Sequence, residues 1–283
     1  MRSFQIGVMQ GRLLPKYMGR YQAHPVGYWQ REFHIAKELG LDLIEFILDF
    51  NDIDKNPMMN ESGLDEIRSL SVETGIGVKS VCADYFMEAP LHSSSEFVVS
   101  QSQKILERLI ETAAVLGVRD IVIPCVDAAS LLDEKTIKRF VGNIRPVLKS
   151  AEQHGVNLSL ETDLSPKPFA DLLKALDSPS ATVNYDTGNS ASLGYDPEEE
   201  LGAYGGRISD IHIKDRVRGR GSVVLGEGSV DFHKFFSALK KADYSGPFIM
   251  QAYRDEEGVE IFKRQLEWIK PLFNKYLQEE QNG

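Results

Sequence analysis

Four residues able to offer a lone pair to a cation follow four short apolar runs in succession. Val156 to Glu161 (VNLSLE) closes on a carboxylate. Thr182 to Tyr185 leads into Asp186, Ile208 to Ile211 into His212, and Phe248 to Met250 into Gln251. Two carboxylates, an imidazole and an amide oxygen suit one borderline-hard divalent ion: Mn²⁺, Mg²⁺, Co²⁺ or Zn²⁺. Such an ion polarises a carbonyl, and a carboxylate beside it can move a proton on the neighbouring carbon. Taken singly, each residue has a plainer use. A strand-end acid caps a helix or faces water, and a lone histidine is a hydrogen-bonded core group. Four in register favour a site.

Residues this far apart in sequence meet only if the elements carrying them lie side by side. Eight strand-like runs are present: Phe4–Met9, Leu41–Phe46, Gly77–Cys82, Asp120–Pro124, Val156–Glu161, Thr182–Tyr185, Ile208–Ile211 and Pro247–Gln251. Between them lie segments of helical period. Trp29–Leu39 ends at Gly40, and Leu64–Thr74 follows a polar, irregular stretch from Asp52 to Ser62. Glu96–Leu116 ends at Gly117, and Asp133–His154 is expected to kink at Pro146. Ser165-Pro166 opens a helix as N-cap and first residue. Asp231 caps another carrying Phe232, Phe235, Phe236 and Leu239, and Ile261–Tyr276 closes the chain. Alternating strands and helices imply a parallel sheet. Eight such units in 283 residues imply an α/β chain forming one (β/α)₈ barrel, a single domain over 1–283, close to the usual barrel size of roughly 250 residues. An open doubly wound sheet fits less well, because no GxGxxG turn follows the first run.

In a barrel, working residues sit where strands pass into their following loops. Glu45 and Asp84, near the ends of the second and third runs, are then candidates to contact substrate or buttress the site. Arg12, Arg216, Arg218 and Arg254 fall in the same rim loops, where arginine matches phosphate with a bidentate fork. Cys82 and Cys125 are expected to be buried and unpaired. The Gly-, Tyr- and Arg-rich segment that leaves the first run and reaches Tyr28 is long enough for a substrate loop.

A net charge of −10 argues against a nucleic-acid surface, which needs a basic face. No run approaches the roughly 18 apolar residues of a membrane span, and the N-terminal apolar run is too short for a secretory signal. With two distant cysteines, the expected setting is a reducing cytoplasm.

Five segments carry a resemblance: LSLETD (158–163), NYDTGN (184–189), DIHIKDR (210–216), LGEGSVDF (225–232) and GPFIMQAYRD (246–255). In this order and spacing the chain resembles the xylose isomerase-like TIM barrels. Within them it is most similar to the branch of L-xylulose-5-phosphate and related ketose 3-epimerases. The resemblance implies one divalent metal held by Glu161, Asp186, His212 and the residue at Gln251, with Glu161 as a base. It implies substrate contacts from Asn189, Lys214 and Asp215, a small sugar or sugar phosphate as substrate, and an enediolate route. Barrels of this kind are often oligomers. The chain departs from the branch at Gln251, where these epimerases carry a glutamate that is both ligand and acid/base. An amide can coordinate, but it is no practical base near neutral pH. A dehydratase, which needs only one base, and a barrel that binds sugar without turnover are therefore kept beside the epimerase. A multi-zinc nuclease would need histidines that the run ends lack.

Overall fold

The computed structural model describes residues 4–256 and 258–277. The ends of the expected 1–283 domain lie outside them. Eight strands close a parallel barrel: β1 (Ile6–Met9), β2 (Leu43–Ile47), β3 (Ser80–Cys82), β4 (Asp120–Cys125), β5 (Asn157–Thr162), β6 (Ala181–Asp186), β7 (Ile208–Ile213) and β8 (Phe248–Met250). Each pairs with its neighbours in sequence, and β1 pairs with both β2 and β8. The chain is thus a (β/α)₈ TIM barrel.

The helices outside are α1 (Arg31–Glu38), α2 (Glu61–Thr74), α3 (Tyr85–Glu88), α4 (Glu96–Leu116), α5 (Glu134–His154), α6 (Pro166–Leu176), α7 (Thr187–Leu193), α8 (Pro197–Tyr204), α9 (Phe232–Lys241) and α10 (Val259–Leu277). Their ends follow local chemistry. Asp133 accepts from Thr136 N–H and Asp231 from Lys234 N–H, while Gly117 and Gly155 end α4 and α5 with positive φ. Ser165 stands at the N-cap of α6 without a side-chain bond, so Pro166 alone carries that start. α5 continues through Pro146 as one helix. The stretch expected to be irregular holds two 3₁₀ turns, Ile53–Lys55 and Pro57–Met59, and α2 begins early because the Asn60 side chain caps Gly63 N–H. Among the described residues, no helix is long and apolar enough to cross a membrane.

The main core lies between strands and helices, formed by outward residues such as Phe46, Leu160, Val183, Ile211 and Phe248 with Phe33, Phe140, Phe236 and Phe273. The barrel interior is divided. One part is apolar: Met9, Leu43, Ile47, Cys82, Val122 and Ile249. The side built by β5, β6 and β7 is polar, where Ser159 bonds Ser209 (3.1 Å), Ser209 bonds Thr182 (2.7 Å), and Asn157 bonds Asp120 (2.9 Å). Alternation along each strand produces both, since every second residue points inward.

Gly7 keeps β1 thin on the apolar side. A Cβ there would lie 2.6 Å from Ile249 Cδ1, 3.0 Å from Leu43 Cβ and 3.2 Å from the Leu43 carbonyl oxygen. Gly7→Ala should therefore overpack the interior and lower stability by about 1–3 kcal/mol, read from the urea midpoint at unchanged slope. An unmoved midpoint would show that the interior has slack.

Candidate active site

Glu161, Asp186 and His212 lie on adjacent strands at the C-terminal end of the barrel, and each is buried. One ligand atom from each falls within 4.8 Å of the others. None dangles from a loop. Glu161 and His212 lie inside β5 and β7, and Asp186 is the last residue of β6. Their positions are therefore as rigid as the ladder.

Each candidate ligand is oriented by a partner. The ring of His212 places Nε2 2.8 Å from Glu45 Oε1 and Nδ1 3.1 Å from the Asn184 amide nitrogen. The Asn184 amide nitrogen only donates, so Nδ1 accepts from it and Nε2–H donates to the carboxyl, while Nδ1 also lies 3.9 Å from Glu161. A histidine ligand is commonly fixed in this way, its far nitrogen donating to a carboxylate. Asp186 does two jobs. Oδ1 accepts from Asn189 N–H (2.8 Å) and caps α7, while Oδ2 lies 3.3 Å from Lys214 Nζ. The plain capping role is thus real, and the other oxygen is taken by Lys214.

Glu161 accepts from the side chains of Asn184 (3.2 Å) and Asn189. Asn189 is itself held by Arg216, whose Nη1 donates to Oδ1 (2.8 Å). Because a guanidinium only donates, the Asn189 amide must turn its NH₂ toward Glu161. Burial raises the Glu161 carboxyl to about 7, and the nearby negative charge of Asp186 adds to this, against the opposing effect of His212 and Lys214.

A second chain of donors fixes Gln251. Arg12 Nη2 donates to Gln22 Oε1 (2.9 Å), and Gln251 Nε2 donates to the same oxygen (2.9 Å). Gln22 Nε2 donates to Asp84 Oδ2 (3.1 Å). The direction of both amides follows from the arginine at one end and the carboxylate at the other. Gln251 is left with Oε1 buried and without a partner among the described residues. A buried orphan acceptor on the cavity that Glu161 also lines is a group that a divalent cation held by Glu161, Asp186 and His212 would complete. The donor set fits such an ion.

Over this group opens a cavity of about 280 Å³, lined by Gln22, Cys82, Asp84, Glu161, Asn189, Lys214, Arg216 and Gln251 among others. Asp84 is half-buried, and burial holds its carboxyl above the ordinary aspartate range. Of the sequence candidates, Asp84, Asn189 and Lys214 therefore face the cavity. Others stand elsewhere. Glu45 is not at the end of β2 but in its middle, fully buried below the cavity, where it supports His212. Burial raises its carboxyl to about 7. Asp215 accepts the N–H groups of Gly226 (2.9 Å), Gly228 (3.0 Å) and Val230 (3.2 Å), so it holds the glycine loop. A Cβ at Gly228 would fall 2.1 Å from its Oδ1. Arg218 is exposed and lies against Gly194 beside a separate hollow. Arg254 sits 4.4 Å over the Tyr21 ring and donates to the carbonyls of Arg12 and Leu14, clamping the loop after β1. Arg12 acts through Gln22. The cations that line the cavity are Arg20, Lys214 and Arg216.

Gln22, Asn184, Arg20, Glu32 and Asp210 were not singled out from sequence. Glu32 ties the loop to α1 by accepting from Gly11 (2.9 Å) and Leu13 (3.0 Å) N–H. Asn184 and Asp210 stand two residues before Asp186 and His212, so the strand period alone points them inward. Gln22 and Arg20 carry no such signal.

Residues 33–272 match the family described as xylose isomerase-like TIM barrel. The L-ribulose-5-phosphate 3-epimerase UlaE of Escherichia coli K12 is 29% identical over 273 residues, covering 91% of this chain and 95% of that protein. The structure of D-psicose 3-epimerase in the presence of D-fructose superposes with a TM-score of 0.76 at 16% identity, covering 97% and 99% of the two chains. The IOLI protein with a bound zinc atom gives 0.75 at 18%, covering 98% and 100%.

Glu45→Gln should keep all four candidate ligands yet weaken divalent-ion affinity roughly ten- to a hundredfold. Competition against a chromophoric chelator measures this, and equal affinities would free Glu45 of the supporting role.

Proposed function

The chain belongs to the xylose isomerase-like TIM barrel family, and from that premise we propose that it is a divalent-metal-dependent epimerase or isomerase of a ketose or ketose phosphate, working through an enediolate. The observation that carries this reading is the convergence of ligand atoms from Glu161, Asp186 and His212 within 4.8 Å, with Gln251, whose Oε1 is an orphan, lining the same cavity as Glu161. These four would hold one ion, Mn²⁺, Mg²⁺, Co²⁺ or Zn²⁺, which would polarise the ketone of a bound sugar.

Glu161 is the base in this reading. Burial and the neighbouring Asp186 raise its carboxyl above the ordinary glutamate range, which favours its taking up a proton. Asn189 and Asn184 hold its two oxygens in place. Lys214, Arg216 and Arg20 line the cavity and are the cations there that could meet polar hydroxyls or a phosphate. The named relative acts on a ketose phosphate, which supports that substrate class here.

Gln251 supports a second reading, a metal-dependent sugar dehydratase. That reaction needs one base and a Lewis acid, and it would not miss the carboxylate.

The metal-loaded protein should exchange deuterium from solvent into the carbon-bound position beside the ketone of L-ribulose 5-phosphate or D-fructose, followed by NMR. Glu161→Gln should slow that exchange by ~10²–10⁴-fold. Failure of the parent protein to exchange any ketose tested would sink the epimerase reading. Formation of a dehydrated product instead would select the second one.

A further inference from the structure

Inverting a carbon requires proton transfer on both of its faces, and Gln251 offers no proton-transfer group. The inference below rests on the epimerase reading and concerns where the second group lies. Five carboxylates line the cavity: Asp49, Asp84, Glu88, Asp127 and Glu161. Asp49 is taken up by Arg20 (3.0 Å) and by the N–H of His24 (2.8 Å). Glu88 and Asp127 are exposed, where water and salt hold them as ordinary solvated acids. Glu45 has no opening onto the cavity. Asp84 remains. It is half-buried, forms no ion pair among the described residues, and faces the same space as Glu161.

Its partners suit a proton-transfer role. Oδ2 accepts from Gln22 Nε2 (3.1 Å) and Oδ1 from the Cys82 thiol (3.2 Å). Both donors are neutral. They fix the carboxyl without removing its basicity, as a guanidinium would. Gln22 is in turn fixed by Arg12 and joined to Gln251. One bridging amide thus ties Asp84, two residues beyond β3, to Gln251, the residue that follows β8. β3 stands two strands from β5 in the barrel order, so Asp84 and Glu161 enter the shared cavity from separate positions on its wall.

We propose that Asp84 is the second proton-transfer group of this protein, acting on the substrate face that Glu161 does not reach. In one direction Glu161 takes the proton from the carbon beside the ketone. The electron pair of the broken C–H bond moves into a carbon–carbon double bond while the ketone oxygen takes up negative charge. Protonated Asp84 then gives its proton to the opposite face of the same carbon, the pair returns to form the new C–H bond, and the ketone is restored. Glu161 ends protonated and Asp84 ionised, and exchange with water through the cavity mouth resets both. Nothing is oxidised or reduced.

The test compares the parent with Asp84→Asn, each metal-loaded in D₂O, on L-ribulose 5-phosphate and separately on its C3 epimer. Metal content per chain is measured alongside. The parent should interconvert the two sugars. Asp84→Asn should interconvert them ~10²-fold more slowly or worse, keep the parent's metal content, and still exchange the C3 proton of one epimer only, the one that presents it to Glu161. Interconversion near the parent rate would overturn the assignment. So would exchange lost from both epimers, which makes Asp84 a binding or folding residue, and so would lost metal, which makes it a ligand. A parent that exchanges neither sugar overturns the epimerase reading itself and this assignment with it.

Discussion

Taking a carboxylate out of water costs several kcal/mol unless neighbouring groups replace the lost hydration. The interior of this barrel has to meet that cost more than once in a small space. Glu161, Asp186, Glu45 and Asp210 are all buried around one imidazole. His212 is the hinge of the arrangement, giving its Nε2–H to Glu45 and turning its other nitrogen toward Glu161. Asp210 is pushed well above the ordinary aspartate range by burial and by Glu45. Two acids so placed disfavour each other's ionisation. The polar flank of β5, β6 and β7 answers the same demand lower down, with hydroxyls and amides bonded to one another. A cation above would offset part of the charge that the strands bring together.

That demand explains the divided interior. Apolar side chains on the β8–β4 side fill space without asking for partners, which frees the other side for polar groups in a continuous network. Rigidity follows. Glu161 and His212 are strand residues, and their partners Asn184 and Glu45 are strand residues as well. The groups that finish the site come from loops. Gln22 belongs to the segment after β1, held down by Glu32, by Arg254 across Tyr21, and by His24 N–H on Asp49.

The parts of this plan visible in the sequence are those with a period. Eight apolar runs alternating with helical segments specify the barrel, and a lone-pair residue at the end of four runs specifies the floor of the site. The same period carried information at Asn184 and Asp210, two residues inside Asp186 and His212, although short polar residues within apolar runs do not advertise themselves. In a run that ends at Phe46, Glu45 lies near the strand end. The structure runs β2 over Leu43–Ile47, which leaves Glu45 in mid-strand, and its inward-pointing side chain sits below the rim. Arg218 and Asp215 follow from local order in a glycine loop that no period describes. Gln22 depends on the path of an irregular segment and on an arginine ten residues earlier, so nothing local marks it.

The ordered amides around Gln251 bear on how such a site can change over time. Gln22 must present oxygen toward position 251, because Arg12 and Asp84 forbid the opposite orientation. A glutamate at 251 would meet that oxygen with a carboxylate, acceptor against acceptor. Rotating Gln22 to help would set its oxygen against Asp84 and its amino group against Arg12. The residue at 251 is therefore not an independent letter. A lineage that exchanged glutamate for glutamine here, with the Arg12–Gln22–Asp84 chain in place, would find the single step back blocked by its own neighbours, and only a prior change at 12, 22 or 84 would reopen it.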